Sequence, residues 1–136
     1  MHCHRKRHAA DVGILSTSNP PFTKTEYIQN ITAREPYTGK PIDKRLVYDP
    51  ADWYSIVLQE KGFLVSSLTS FPHTENAPTK LVLLLDTGLT PPFEIPDRYL
   101  LPAGKYYVAV SILNQTIIPY DYSYRYQLQL GFGKEQ

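Results

Sequence analysis

Residues 120–132 read Tyr120-Asp121-Tyr122-Ser123-Tyr124-Arg125-Tyr126-Gln127-Leu128-Gln129-Leu130-Gly131-Phe132. Every even position is aromatic or leucine, and the odd positions from Asp121 to Gln129 are polar or charged. A repeat of two places alternate side chains on opposite faces of a strand, whereas a helix repeats every ~3.6 residues. The stretch predicts one strand with a tyrosine-rich apolar face and a polar face. It is bent or bulged, because it exceeds the usual ~3–10 residues.

The same repeat continues upstream. Tyr106-Tyr107-Val108-Ala109-Val110-Ser111-Ile112-Leu113 is aromatic and β-branched, with Tyr106, Val108, Val110 and Ile112 on one face. Pro102-Ala103-Gly104 marks a turn before it, Asn114-Gln115 marks a tip before Thr116-Ile117-Ile118, and Pro119 leads into the final strand. If the last two strands pair, Tyr106 and Tyr107 neighbour the final tyrosines. Leu81–Leu85 is apolar on both faces, which predicts a central strand covered on each side. Trp53–Leu58 and Phe63–Leu68 predict a hairpin pair joined through Gln59-Glu60-Lys61-Gly62. Gly13–Ser16 and Glu26–Ile31 are further strand candidates. Residues 86–102, with Pro91, Pro92, Pro96 and Pro102, predict a stiff connection crossing the domain or skirting its edge. No proline-free window carries a helical repeat. Many short strands separated by turn residues predict a sandwich or small barrel.

At 136 residues the chain has room for one domain with one core, and its 20% charged residues exclude wholesale disorder. No uninterrupted apolar run exceeds five residues, too short for a membrane span. Net charge is +1, but Arg5, Lys6 and Arg7 sit in the first eight residues; beyond them 11 basic side chains face 13 acidic ones. The body is therefore no polyanion-binding surface by charge alone. A single cysteine, Cys3, excludes an internal disulfide. No signal peptide is visible, because no apolar stretch of ~7–15 residues follows the basic start.

Thr38-Gly39-Lys40-Pro41-Ile42-Asp43, then Asp49-Pro50-Ala51-Asp52-Trp53-Tyr54-Ser55-Ile56-Val57-Leu58 and a turn at Gly62, resemble the front half of bacterial pre-peptidase C-terminal (PPC-like) domains. The strand ending Leu85-Asp86, the run Leu101-Pro102-Ala103-Gly104-Lys105-Tyr106-Tyr107-Val108-Ala109-Val110 and the closing Tyr126-Gln127-Leu128-Gln129-Leu130 are similar to the back half. The resemblance covers about residues 38–132. It implies an extracellular jelly-roll β-sandwich serving as a binding or assembly module, some relatives binding calcium or polymers such as collagen. The acidic and amide cluster of a calcium site is not visible here, and no adjoining enzyme is expected within these residues. The expected fold is all-β: an antiparallel β-sandwich of jelly-roll type with about 7–9 strands. It spans residues 13–136 behind a flexible basic N-terminal arm, residues 1–12.

His2, Cys3, His4 and His8 carry donors for Zn²⁺ or Cu²⁺, yet no second cluster supplies the remaining ligands, and His73 stands alone. Arg5, Lys6 and Arg7 are the candidate nucleic-acid contacts; three charges release too few counterions for tight binding at physiological salt, so nucleic acid is not an expected partner. Asp49 and Asp52 flank Pro50-Ala51 and have the oxygens for Ca²⁺, or they cap a turn through their side chains. Turn capping is the simpler reading, and no cofactor is expected. No nucleophile-elbow, zinc-protease, P-loop or dinucleotide motif is present, and no base is paired with a nucleophile, so no enzymatic activity is expected. Asn30-Ile31-Thr32 and Asn114-Gln115-Thr116 are N-glycosylation sequons.

The tyrosines are the unusual resource. Tyr107, Tyr120, Tyr122 and Tyr124 are candidate partner-binding residues, since tyrosine combines a rigid apolar body with a polar tip. The bland alternative makes the even face core, as Leu128, Leu130 and Phe132 continue it. The expectation is a non-catalytic extracellular binding or assembly module that presents a tyrosine-rich face or strand edge to protein subunits, as a homo-oligomer or larger assembly, or to a carbohydrate or other polymer. The alternative is a virion coat protein, a jelly roll behind a short basic arm, placed at the virion surface. Ile95-Pro96 through Tyr107 also resembles part of effector-binding regulators, which requires helices packed on the sheet.

Overall fold

Alternating apolar positions give ten strands in the computed structural model, which describes residues 9–34, 41–49, 51–72, 81–112 and 122–135, with side chains for 9–28, 51–71, 81–111 and 125–135. A front sheet holds β1 (Ala10–Leu15), β4 (Ala51–Leu58), β9 (Gly104–Ile112), β6 (Leu81–Asp86) and β7 (Phe93–Glu94), side by side in that order. A back sheet holds β3 (Pro41–Asp49), β2 (Phe22–Arg34), β10 (Tyr122–Lys134), β5 (Gly62–Pro72) and β8 (Arg98–Leu101), again in that order. No helix occurs among the described residues, so none is seen packed on the sheet as the regulator reading requires. None is therefore long and apolar enough to cross a membrane.

The two sheets close on one core. Tyr54, Ile56 and Leu58 of β4, Val108 and Val110 of β9, and Leu83 and Leu85 of β6 meet Leu64 of β5 and Tyr126, Leu128 and Leu130 of β10. This alternation is what the sequence pattern of β10 demands: Tyr126, Leu128 and Leu130 are fully buried while Arg125, Gln127 and Gln129 are exposed. The even face of β10 is core at Tyr126, so this tyrosine is no contact surface. β6 is apolar on both faces: Leu81, Leu83 and Leu85 belong to the core, while on the other face Val82 is buried and Leu84 half-buried.

Two expected pairings are corrected. Trp53–Leu58 and Phe63–Leu68 do not form a hairpin: β4 pairs with β1 and β9, and β5 pairs with β10 and β8, in the other sheet. A short connection can span the ~10 Å between facing sheets as readily as it closes a hairpin. Nor do the last two strands pair, since β9 lies between β4 and β6. Tyr106 and Tyr107 therefore do not adjoin the tyrosines of β10 in a sheet. The sandwich is antiparallel except at one edge, where β1 runs parallel to β4. β1 also begins at Ala10, inside the segment expected as arm. Its register shifts between Asp11 and Gly13, where Gly13 takes φ +87° and its N–H donates to Asp11 Oδ1 at 3.0 Å. Ser55 Oγ of β4 donates to the same oxygen at 3.3 Å, so one carboxylate fastens the bulge to its neighbour. The proline-stiffened stretch skirts the edge of the sandwich: it supplies β7 as the edge strand of the front sheet and then β8 as the edge strand of the back one.

Candidate binding faces

A buried phenol–carboxylate chain bridges the two sheets. Asp52 and Tyr54 sit two residues apart on β4 and both face inward, towards Tyr126 of β10. The Tyr126 O–H donates to Asp52 Oδ2 at 2.6 Å, and Tyr54 Oη lies 2.5 Å from Tyr126 Oη. Tyr126 has one proton and gives it to the carboxylate, so Tyr54 donates to Tyr126. Phe22 closes the end of the chain with its ring edge-on to Tyr54, centroids 5.9 Å apart. Burial holds the Tyr126 hydroxyl protonated far above the usual phenol range, reinforced by the charge and hydrogen bonds of Asp52 and Tyr54. A phenol with no access to solvent and a carboxylate committed to it form a cross-sheet tie rather than a reactive centre.

This placement revises Asp52. Its residue lies inside β4 at 2% exposure, with Oδ2 turned to the core and accepting from the Tyr126 hydroxyl. The sequence signal, Asp-Pro-Ala-Asp, reads as a loop because polar and turn residues cluster there; tyrosine partners distant in sequence are what make the burial tolerable. Asp49 ends β3, paired with Gln29, and its side chain lies outside the described set. Among the described residues no group of three His, Cys, Asp or Glu side chains is placed to hold a metal ion.

Of the four candidate tyrosines, Tyr107 is half-buried on the outer face of the front sheet, between Ser55 and Asp86 of the flanking strands, with Lys105 Nζ 5.6 Å from its ring centre. Tyr122 and Tyr124 are paired in β10 with Asn30 and Ile28 of β2; their side chains are outside the described set. Tyr120 lies outside the described residues, as do Arg5, Lys6, Arg7, His2, Cys3, His4, His8 and His73. The structure therefore does not bring Tyr107 into one face with the β10 tyrosines.

The outer face of the back sheet carries aligned rows of polar and aromatic side chains. Register aligns Tyr27, Arg125 and Phe71 across β2, β10 and β5 in one row. The next rows are Thr25, Gln127 and Thr69, then Thr23, Gln129 and Ser67. Phe71 is 42% exposed and Tyr27 37% exposed, and the Arg125 guanidinium lies 4.9 Å from the Phe71 ring centre. Beyond the last row, Gly131 has no side chain, and a shallow pocket of about 130 Å³ opens there between Pro21, Val65, Ser67 and Gln129. From Arg125 to Gly131 the face runs ~20 Å at ~3.4 Å per residue. Arg125 is the one formal charge in these three rows. Attention to the tyrosines hides this face in the sequence, although the signal is there in the odd positions of the final strand and in the alternation Thr23, Thr25, Tyr27.

A second concave feature lies on the flank. A groove of about 360 Å³ opens between β5 at Ser66–Leu68 and β6 at Leu81–Leu83, with Glu94, Ile95 and Asp97 along its mouth. Comparison with known proteins finds no family model and no curated protein that matches the chain.

Proposed function

We propose that this chain is a non-catalytic extracellular binding or assembly module of jelly-roll type, and that its recognition surface is the outer face of the back sheet. The observation that carries the reading is the three-row array of hydroxyl and amide side chains ended by Tyr27, Arg125 and Phe71. Such a face offers donors and acceptors to a neutral, hydroxyl-rich polymer and aromatic rings for its apolar faces to stack on. A single cation cannot select a polyanion against salt. The chemistry favours a neutral polysaccharide over a charged one.

Strand order supports the jelly-roll part. Four strands in the order β2-β10-β5-β8 face four in the order β4-β9-β6-β7, with β3 and β1 added at the edges, and the chain passes from one sheet to the other at most of its connections. The segments that resemble PPC-like domains fall on β4, β5, β6, β9 and β10 in turn, which fits that resemblance.

Titration of the protein against a panel of neutral and acidic polysaccharides tests the reading. Neutral chains should bind, and Tyr27→Ala or Phe71→Ala should each weaken binding about tenfold, the loss of roughly 1.4 kcal/mol of stacking. Binding only to acidic chains, or no effect of either substitution, rejects this face.

The virion coat reading is favoured by the same strand order together with the basic run ahead of β1. Light scattering over a range of concentrations separates the two. A discrete shell-sized particle supports a coat subunit, and its absence in a polymer-binding protein supports the module.

A further inference from the structure

The two sheets end unevenly on one flank. β8 pairs with β5 only from Gly62 to Val65, and the ladder finishes with the Ser66 N–H donating to the Asp97 carbonyl at 2.9 Å. The Ser66 N–H thus points to the flank, and alternation directs the N–H and C=O groups of Leu68 and Ser70 the same way. No described strand lies opposite them. At the next such position Pro72 has no N–H to offer, which bounds the open edge. In the facing sheet, β7 covers only Leu84 and Leu85 of β6, finishing with the Ile95 N–H to the Leu83 carbonyl at 3.3 Å. The groove on this flank lies where both ladders stop.

We propose that this groove accepts residues 2–8 of a second copy of the chain as an added strand on β5. Unpaired N–H and C=O groups on an edge are a template for a further strand, and main-chain bonds supply affinity while the walls select side chains. The described charged groups of the groove are two carboxylates, Glu94 and Asp97. Neither makes a described ion pair, and the cation nearest in sequence, Arg98, is engaged over the Phe63 ring at 4.3 Å. The segment His2-Cys3-His4-Arg5-Lys6-Arg7-His8 holds the densest run of cations in the chain and contains no proline. Extended, seven residues reach ~23 Å, more than the open edge of β5 requires. The donor is a second copy because β1, which begins at Ala10 directly after this segment, forms the edge of the front sheet opposite β7, four strand spacings or ~19 Å away, and a segment that spent its residues crossing that distance would have too few left to pair along β5. The contact then joins one flank of a copy to the other flank of the next, a head-to-tail arrangement that propagates into a ring or chain. It is independent of polymer binding: the groove is on the flank and the neutral face is on the outside of the back sheet, so either test can fail alone.

Sedimentation velocity of the full chain at low salt tests this with charge exchange. The wild type should associate with rising concentration. Reversing the segment (Arg5→Glu, Lys6→Glu and Arg7→Glu together) or the groove (Glu94→Lys with Asp97→Lys) should each weaken association at least about tenfold. Mixing the two reversed proteins should restore it, because each then supplies the complementary partner, and that restoration cannot come from misfolding. Ser70→Pro provides an independent check, since it removes an N–H from the open edge and none from the ladder to β10; it too should weaken association. A wild type that stays monomeric, reversed proteins that associate as tightly as the wild type, or no restoration on mixing overturns the proposal.

Discussion

Burial forces a choice on Tyr126 that an exposed tyrosine never faces. In the unfolded chain its hydroxyl ionises near 10.0, whereas in the sandwich the apolar surroundings and the neighbouring Asp52 carboxylate keep the proton in place well above that. A group whose proton is held more tightly in the folded state contributes its full stability below the unfolded value and loses it as pH rises. Above pH 10.0 stability should therefore fall by about 1.4 kcal/mol per pH unit from this residue alone. Tyr126→Phe should cost about 2 kcal/mol at neutral pH, because the Asp52 carboxylate loses a donor inside the core, and should flatten the alkaline fall. Urea midpoints on either side of pH 10.0 measure both effects. A steeper alkaline fall in the variant contradicts the assignment. Tyr54→Phe removes the outer donor only and should cost less. Legibility at this scale was uneven: the alternation of β10 places Tyr126 inward, but nothing local to Asp52 marks it as a core residue, since its partner is 74 positions away.

Strands come out of the sequence more readily than their partners do. Apolar alternation marks β4, β5, β6, β9 and β10, because each strand reports its own two faces. It cannot report which sheet a strand joins, so β4 and β5 read as a hairpin although the chain changes sheet between them. Gly62, at the start of β5, carries the constraint that the hairpin reading misses. A Cβ there would run into the Phe132 ring and stand 2.8 Å from the Gly133 carbonyl oxygen of the paired β10. A ring can tilt but a ladder carbonyl cannot move without its strand, so Gly62→Ala should destabilise by about 2 kcal/mol. Gly13 makes the opposite case: a Cβ there meets nothing within 4 Å, yet φ +87° is a left-handed conformation. Gly13→Ala should therefore cost about 1 kcal/mol through backbone strain alone. Urea denaturation of both variants gives the ranking, and an equal or reversed order would show that the space beside Phe132 is softer than its geometry implies.

The path of the chain makes the sandwich one cooperative unit. After β3 in the back sheet it goes to β4 in front, β5 behind, β6 and β7 in front, β8 behind, β9 in front and β10 behind. No contiguous segment holds a complete sheet, and the inward side chains of each sheet have only the other sheet to bury against. Fold class was legible because alternation and turn residues recur along the whole chain; the candidate faces were not, because they are composed by register between strands far apart in sequence. Thr25, Gln127 and Thr69 form one row only once β10 has inserted between β2 and β5. The same nonlocality has a folding consequence. Central strands β9 and β10 must find partners made much earlier in the chain, so loop-closure entropy is met before most contacts repay it, and refolding should be slow, on the order of milliseconds to seconds. Trp53, the one tryptophan, lies on β4 and reports the front sheet, while far-ultraviolet circular dichroism reports both sheets. Urea transitions followed by the two signals should coincide, with one midpoint and one slope. If Trp53 fluorescence changed at lower urea than the dichroism, the front sheet would be separable from the back, and a tie through Asp52, Tyr54 and Tyr126 would not bind the two layers into a single structure.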